Sequence, residues 1–181
     1  MSLLGNLTAF RASLLNGGVR PNQFEVSLNF PAIVSGGAAS TLLGKFHCNA
    51  ASLPASTFSP IDVFYQGRAI RVAGEREFAP WTVRIINEDF AIRDSLSRWS
   101  NSINTLSNNM GVLQPLLYQT DLEIDQLDRN GVSIKRITLV DAMPISVGEI
   151  GLSWDQNNQL KMFDVTFVYN YFKESNIGVG I

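Results

Sequence analysis

This chain has one cysteine, one histidine and no apolar run long enough to span a membrane. Each shortage excludes something. Cys48 has no partner for an internal disulfide, so the fold has no disulfide framework and suits a reducing compartment. His47 alone cannot build a histidine metal cluster within one chain. Next to Cys48 on a strand it would point to the opposite face, which argues against a Cys–His nucleophile pair. Charge is scarce as well: charged residues make up 17% of 181, with 14 basic against 16 acidic and a net of -2. That balance gives no reason to expect a chain that coats nucleic acid or membrane. Residues 1–18 lack a basic n-region and a clean apolar core, which excludes a signal peptide.

Motifs that would carry chemistry are missing too. Asp155-x-Asn157 opens like a calcium loop, but Leu160 stands where the glycine is needed and Thr166 where the glutamate is. Gly44-Lys45 hints at a phosphate loop, yet Ala39 and Phe46 hold the places of its first glycine and its hydroxyl residue. Asp121, Glu123 and Asp125 share one strand face, which reads as a solvated outer face or, less simply, as a cation site. No constellation able to run catalysis is present, so no enzyme, metal or cofactor is expected.

What is there is apolar residues, 45% of the chain, enough for one domain with a real core over 1–181. Its organising stretch is 71–106. Trp81, Val83 and Ile85 alternate with Thr82 and Arg84, the period of a strand with one buried face. Asn87 suits a helix N-cap, and Glu88 and Asp89 a first turn. Ile92, Leu96, Trp99, Ile103 and Leu106 then recur at four, three, four and three, one stripe of a helix. Trp99 reads as its anchor on a sheet rather than as a ligand site.

Elsewhere, Leu3, Leu7, Phe10 and Leu14 predict a short N-terminal helix closed by Asn16-Gly17-Gly18, with 1–19 as helix and arm. Phe24, Val26 and Leu28 predict a first strand, and residues 31–44, rich in Gly, Ala and Ser, a surface loop. Residues 45–50 predict a second strand and 53–60, with two prolines, an extended connection. Ile61, Val63 and Tyr65 predict a third strand, turning at Gln66-Gly67 into a fourth at 69–73. Asn130-Gly131 marks a hairpin between 116–127 and 132–140, where slips of phase suggest a bulge or sharp twist. Met143-Pro144 reads as a break; Ile150, Leu152 and Trp154 alternate; 162–172 reads as the last and longest strand, followed by an unpatterned tail at 173–181. The sum is β-rich (α+β): an antiparallel β-sandwich or barrel of two sheets, about eight strands, covered by one main α-helix.

Four stretches go further: Arg20-Pro21-Asn22-x-Phe24, Leu53-Pro54-Ala55, Val72-Ala73-Gly74-Glu75-Arg76-x-Phe78-x-x-Trp81-Thr82-Val83, and Val147-Gly148-Glu149-Ile150-x-Leu152-x-Trp154-Asp155-x-Asn157-Asn158. The last leads into Phe163-Asp164-Val165-Thr166 and Tyr169-x-Tyr171-Phe172. In this order the set resembles the tail tube proteins of contractile-tailed bacteriophages, themselves similar to type VI secretion tubes. The 31–44 insert and the residues after Phe172 depart from the family pattern. The resemblance implies a structural virion protein, assembled in the host cytoplasm, that forms hexameric rings stacked into a hollow tube. Its partners would be its own copies, the tail sheath protein, baseplate and tail terminator proteins, and phage genomic DNA passing through without sequence-specific binding. No membrane anchor is implied.

A DNA conduit must not hold DNA, since each bore-facing cation would pair with phosphate. Asp121, Glu123, Asp125 and Asp164 are therefore candidates for the bore wall. Gly36, Gly37, Ser40, Leu53, Pro54 and Ser56 are candidates for ring-stacking loops. A baseplate or tail-end homologue that does not polymerise, a tube from a non-phage injection system and, more distantly, a small-ligand-binding β-barrel remain as alternatives.

Overall fold

A computed structural model describes residues 10, 20–87, 90–155 and 159–177. The N-terminal helix expected from Leu3, Leu7 and Leu14, and the acidic first turn at Glu88 and Asp89, lie outside the described residues. Among the described residues the chain runs β1 (Phe24–Ser27), α1 (Gly37–His47), β2 (Cys48–Ala51), β3 (Ser56–Tyr65), β4 (Arg68–Phe78), β5 (Trp81–Ile86), α2 (Ala91–Ile103), α3 (Pro115–Tyr118), β6 (Thr120–Leu127), β7 (Ser133–Val147), β8 (Met162–Val168) and β9 (Tyr171–Asn176).

The main sheet has the order β1-β6-β7-β8-β5-β2, with β9 also on β7 and every pairing antiparallel. β7 is the shared strand. Its first part, Lys135 to Val140, pairs with β9, and its last part, Met143 to Val147, pairs with β8. The change falls at Asp141, whose φ of 55 is left-handed. Asp141 N–H donates to Asp121 Oδ1 at 3.1 Å, and Asn170 Nδ2 donates to Asp141 Oδ2 at 3.0 Å. This corner folds one long ribbon into two layers, β1-β6-β7-β9 and β7-β8-β5-β2. The order ends at β1 and β2, so the sheet does not close into a barrel.

The Asn130-Gly131 hairpin forms as expected, with a register shift at Gln126/Leu127 where the phase slips and a second, unexpected one at Thr120/Leu122. Three other expectations change. β7 does not break at Met143-Pro144; it carries Pro144 next to a register shift, a place where a missing N–H is tolerated. The expected last strand is two, β8 and β9, and β9 runs on to Asn176 inside the supposed tail. Ile150, Leu152 and Trp154 form no strand.

The core is the inner face of both layers plus one stripe of α2. Trp81, Val83, Ile85, Phe163, Val165 and Phe167 come from one layer and Val26, Leu122, Ile124, Ile137 and Leu139 from the other. Trp99 is wholly buried, its ring 6.0 Å from Phe167 and 5.6 Å from Phe30, and its Nε1–H donates to the Tyr118 carbonyl at 2.7 Å. Ile92 and Leu96 are buried beside it, while Ile103 is half-buried. Leu106 is 89% exposed because the helix stops at Ile103 and Asn104 is extended. The N-cap is Phe90, in left-handed backbone, not Asn87. Asn87 is buried and its N–H donates to the Lys161 carbonyl, so it prolongs the β5–β8 pairing instead.

The largest difference is α1, in the stretch expected to be a loop. Small residues here let a helix lie close to its neighbours, not bend freely. Gly44 lies on Leu28, and a Cβ at Gly37 would come within 2.7 Å of the Phe30 Cβ. Ser40 is buried, its Oγ 2.7 Å from Ser95 Oγ of α2. The expected loop is therefore corrected to a packed helix, with Gly36 as its N-cap and Gly37 and Ser40 in its first turn. That helix also takes Lys45 to His47 from the expected second strand.

Candidate assembly surfaces

The β3–β4 hairpin stands apart from the core sheet as a two-stranded arm, and every residue from 57 to 73 is exposed. Alternation builds it with unlike faces. Cross-strand pairs Ile61–Val72 and Val63–Ile70, with Tyr65 next to the tip, form one apolar face. Asp62 and Arg71, at 3.4 Å, lie on the other with Phe64. Gln66 and Gly67, both at positive φ, make the two-residue turn that suits a hairpin's twist. Near the base the register slips between Phe58 and Pro60, opposite Gly74. A Cβ on Gly74 would collide with the Ser59 carbonyl oxygen, so the bulge requires glycine. Phe78 then anchors the base against Tyr169 and Phe172, with ring centroids 6.0 and 5.7 Å away. Leu53 is exposed and Pro54 half-buried just before the arm, and Ser56 is its first residue. A bare apolar face of this extent marks a contact surface for another molecule.

A second apolar surface lies in the segment leading to β8. Leu152, Trp154 and Leu160 are 78%, 100% and 68% exposed. Leu152, Leu160 and Met162 line a groove of about 630 Å³ with Gly151, Ser153, Gln159 and Lys161, so its wall is part apolar and part polar. The segment's start is pinned: Gly148 N–H donates to the Asp164 carbonyl, and Arg93 Nη1 donates to the Gly148 carbonyl at 3.0 Å.

The outer faces of both layers are polar, and their charges come in pairs. On β5 and β8, Arg84 grips Asp164 through Nε at 2.7 Å and Nη2 at 3.0 Å. Thr82 and Thr166 hydroxyls bond beside them at 3.1 Å. The arginine's hydrogen bonds hold the Asp164 carboxyl below the usual carboxylate range. On the other layer Arg136 makes the same fork to Asp125, both bonds 2.8 Å, with Glu123 at 3.6 Å. That fork raises the Arg136 guanidinium further above its usual value. Lys45 of α1 reaches Glu25 at 2.8 Å, and that bond raises the lysine.

The four acidic wall candidates are thus not a bare negative row. Asp125 is buried under Arg136, Glu123 shares the same arginine, Asp164 is matched by Arg84, and Asp121 is tied to the corner at Asp141. The matching arginines were legible in principle, because alternation puts Arg84 and Asp164 on outward faces; their pairing needed the register. Among the described residues no group of three metal-ligating side chains comes together, and no helix is long and apolar enough to cross a membrane.

Comparison with known proteins agrees with this geometry. The family model described as phage tail tube protein matches residues 19–175. Tail tube protein gp19 of Enterobacteria phage T4 is 30% identical over 159 residues, covering 85% of this chain and 90% of that one. The tail tube protein of Serratia phage KSP90 is 25% identical over 172 residues, 92% and 95% of the two chains. Among solved structures, a chain of the sheath–tube complex of PVC, an extracellular contractile injection system, superposes with TM-score 0.62 at 13% identity, covering 96% of this chain and 99% of that one. The terminating cap of the anti-feeding prophage tube superposes with TM-score 0.61 at 14% identity, over 88% and 91%. With its family match running over nearly every described element, this chain belongs to the phage tail tube protein family.

Proposed function

We propose that the chain self-assembles into hexameric rings that stack into the hollow inner tube of a contractile phage tail. The observation that carries this reading is the β3–β4 arm, a hairpin whose apolar face is exposed among the described residues. A structural role of this kind needs no catalytic residues. Among the described residues β1, β2 and β9 each pair on one side only, so each offers an edge for a neighbour within a ring. The arm, together with the surface residues Leu53 and Pro54, serves the contact between rings. The sheath, baseplate and terminator are the expected further partners, supported by the assemblies in which its structural relatives were solved. Such a tube would form in the host cytoplasm, reside in the virion tail and require no membrane anchor.

DNA passes through the bore. The outer face of β5 and β8 suits that wall: Arg84 and Asp164 are about half exposed on it, and its hydroxyls and matched Arg84–Asp164 charge offer phosphate little to hold. Electron microscopy of the purified chain tests the assembly. Tubes of stacked rings are expected. Single rings that never stack would indicate a baseplate or tail-end role, and monomers at high concentration would overturn the reading.

A further inference from the structure

We infer that Asn130 is a site of spontaneous self-modification, where the backbone nitrogen of Gly131 attacks the Asn130 side-chain amide and turns it into an acid. Two groups decide such a reaction: the amide carbon and the nitrogen of the next residue. A Cβ on that next residue crowds the attack, and glycine has none. Among the described residues Asn130 is the one asparagine followed by glycine; Asn16-Gly17 lies outside them. The fold leaves this pair open. Both residues are exposed at the tip of the β6–β7 hairpin, and a Cβ built on Gly131 would meet nothing within 4 Å. Gly131 N–H donates to the Asp128 carbonyl at 3.2 Å, the long end of the range, and belongs to no strand. Asn130 Nδ2, the group that must leave, reaches Asp128 Oδ2 at 3.3 Å, which is longer still. The short bonds of the loop hold other atoms: Asp128 Oδ1 accepts from Asn130 N–H at 2.7 Å and from Val132 N–H at 3.0 Å.

The step needs water and nothing else. Gly131 N bonds to Asn130 Cγ, the Cγ–Nδ2 bond breaks, and the amine leaves as ammonia with the proton from Gly131 N–H. Water then opens the cyclic imide. Opening at Cγ gives aspartate; opening at the backbone carbonyl gives isoaspartate, whose main chain is longer by a carbon. Either product works against the turn. Backbone hydrogen bonds from Val132 and Asn130 hold the Asp128 carboxyl below the usual carboxylate range, so it stays charged at neutral pH. Where Nδ2 donated to it, a second carboxylate now repels it. The subunit also becomes one charge more negative than its -2. Asp128 N–H donates to the Val132 carbonyl at 2.9 Å, and the longer isoaspartate backbone lies inside the loop which that bond closes. The ladder from the Leu127–Ser133 pair inward does not include the modified residue, so the damage stays at the tip.

The test ages the full chain, folded and in urea, at about pH 7 and about pH 9. Peptide mapping by mass spectrometry follows each asparagine, and an isoaspartate-specific methyltransferase counts the rearranged product. In the folded chain Asn130 should convert about tenfold or more faster than any other described asparagine, because no other has glycine after it. Its rate should rise with pH, since the deprotonated nitrogen is the nucleophile, and should lie within about tenfold of the rate in urea, since the tip is exposed. Aspartate and isoaspartate should both accumulate. Hydrogen exchange on the converted protein should quicken at Asp128 and Val132 and stay unchanged in the β6–β7 ladder. A folded chain that keeps Asn130 intact overturns the inference, whether or not the chain in urea converts, because the fold would then protect the pair. Earlier conversion of another described asparagine overturns it too.

Discussion

Arg84 and Asp164 face each other across β5 and β8, and both guanidinium–carboxylate bonds, 2.7 and 3.0 Å, are on an open sheet face. An arginine so occupied has its charge matched and two of its five donors taken, which makes it a weaker phosphate ligand. Asp164→Asn should release it, and if this face lines the bore, assembled tubes should retain DNA at low salt and let it go as salt rises. Adding Arg84→Gln should return the tube to parent behaviour. Variant tubes that hold no more DNA than the parent would move the bore to another face.

The same pair sets a pH dependence. Asp164 is held below its ordinary value by Arg84, so its contribution is complete at neutral pH and down to about 4, the unfolded value. It is lost as pH falls through the depressed folded value. Thermal melts from pH 7 to 2 should show Asp164→Asn converging on the parent at the acid end. At neutral pH the gap should stay small, because exposed ion pairs contribute little.

Trp99→Ala should cost the subunit about 3–5 kcal/mol, the range for a buried large aromatic, with the Tyr118 carbonyl left without its donor besides. Denaturant melts of unassembled protein read this directly. A loss within about 0.5 kcal/mol would contradict the packing of α2.

That helix shows how far sequence reaches here. Ile92, Leu96 and Trp99 were legible because a helix stripe depends only on spacing, and Trp81, Val83 and Ile85 because a strand face does. Its start was misread because Asn87, a good cap by type, was taken by the Lys161 carbonyl, a partner 74 residues away that no local pattern reveals. α1 was missed for a related reason. Gly37, Ser40 and Gly44 have low helix preference and earn their places only against Phe30, Ser95 and Leu28. For the assembly surfaces, the alternation of Ile61, Val63 and Ile70 was visible, but alternation cannot say that its apolar face stays bare in the subunit. Leu152 and Trp154 alternate like a strand yet lie outside every sheet.

Gly74→Val should damage assembly without damaging the subunit. The new side chain meets the Ser59 backbone and disturbs the bulge near the arm's base, while the core sheet shares no ladder with the arm and touches it through Phe78, four residues on. Expected are an unchanged melting temperature and a strong loss of stacked rings. A large drop in melting temperature would show the arm to be part of the cooperative fold.

Cys48 should be chemically silent. Burial pushes its thiol up to about 12, so at pH 8 roughly one molecule in ten thousand carries thiolate. A colorimetric thiol reagent should react slowly with native protein and at once in denaturant. Fast reaction of the folded subunit would mean that the start of β2 opens readily.

The hairpin is rooted at one end of the main sheet, where Phe78 meets Tyr169 and Phe172. Any stack of such subunits has polarity: its two ends are chemically unlike, one showing bristles of apolar strand and the other a rim without them. Growth can then proceed by different steps at the two ends, and a protein that stops one end has no purchase on the other. A stack built as proposed would call for a different cap at each end.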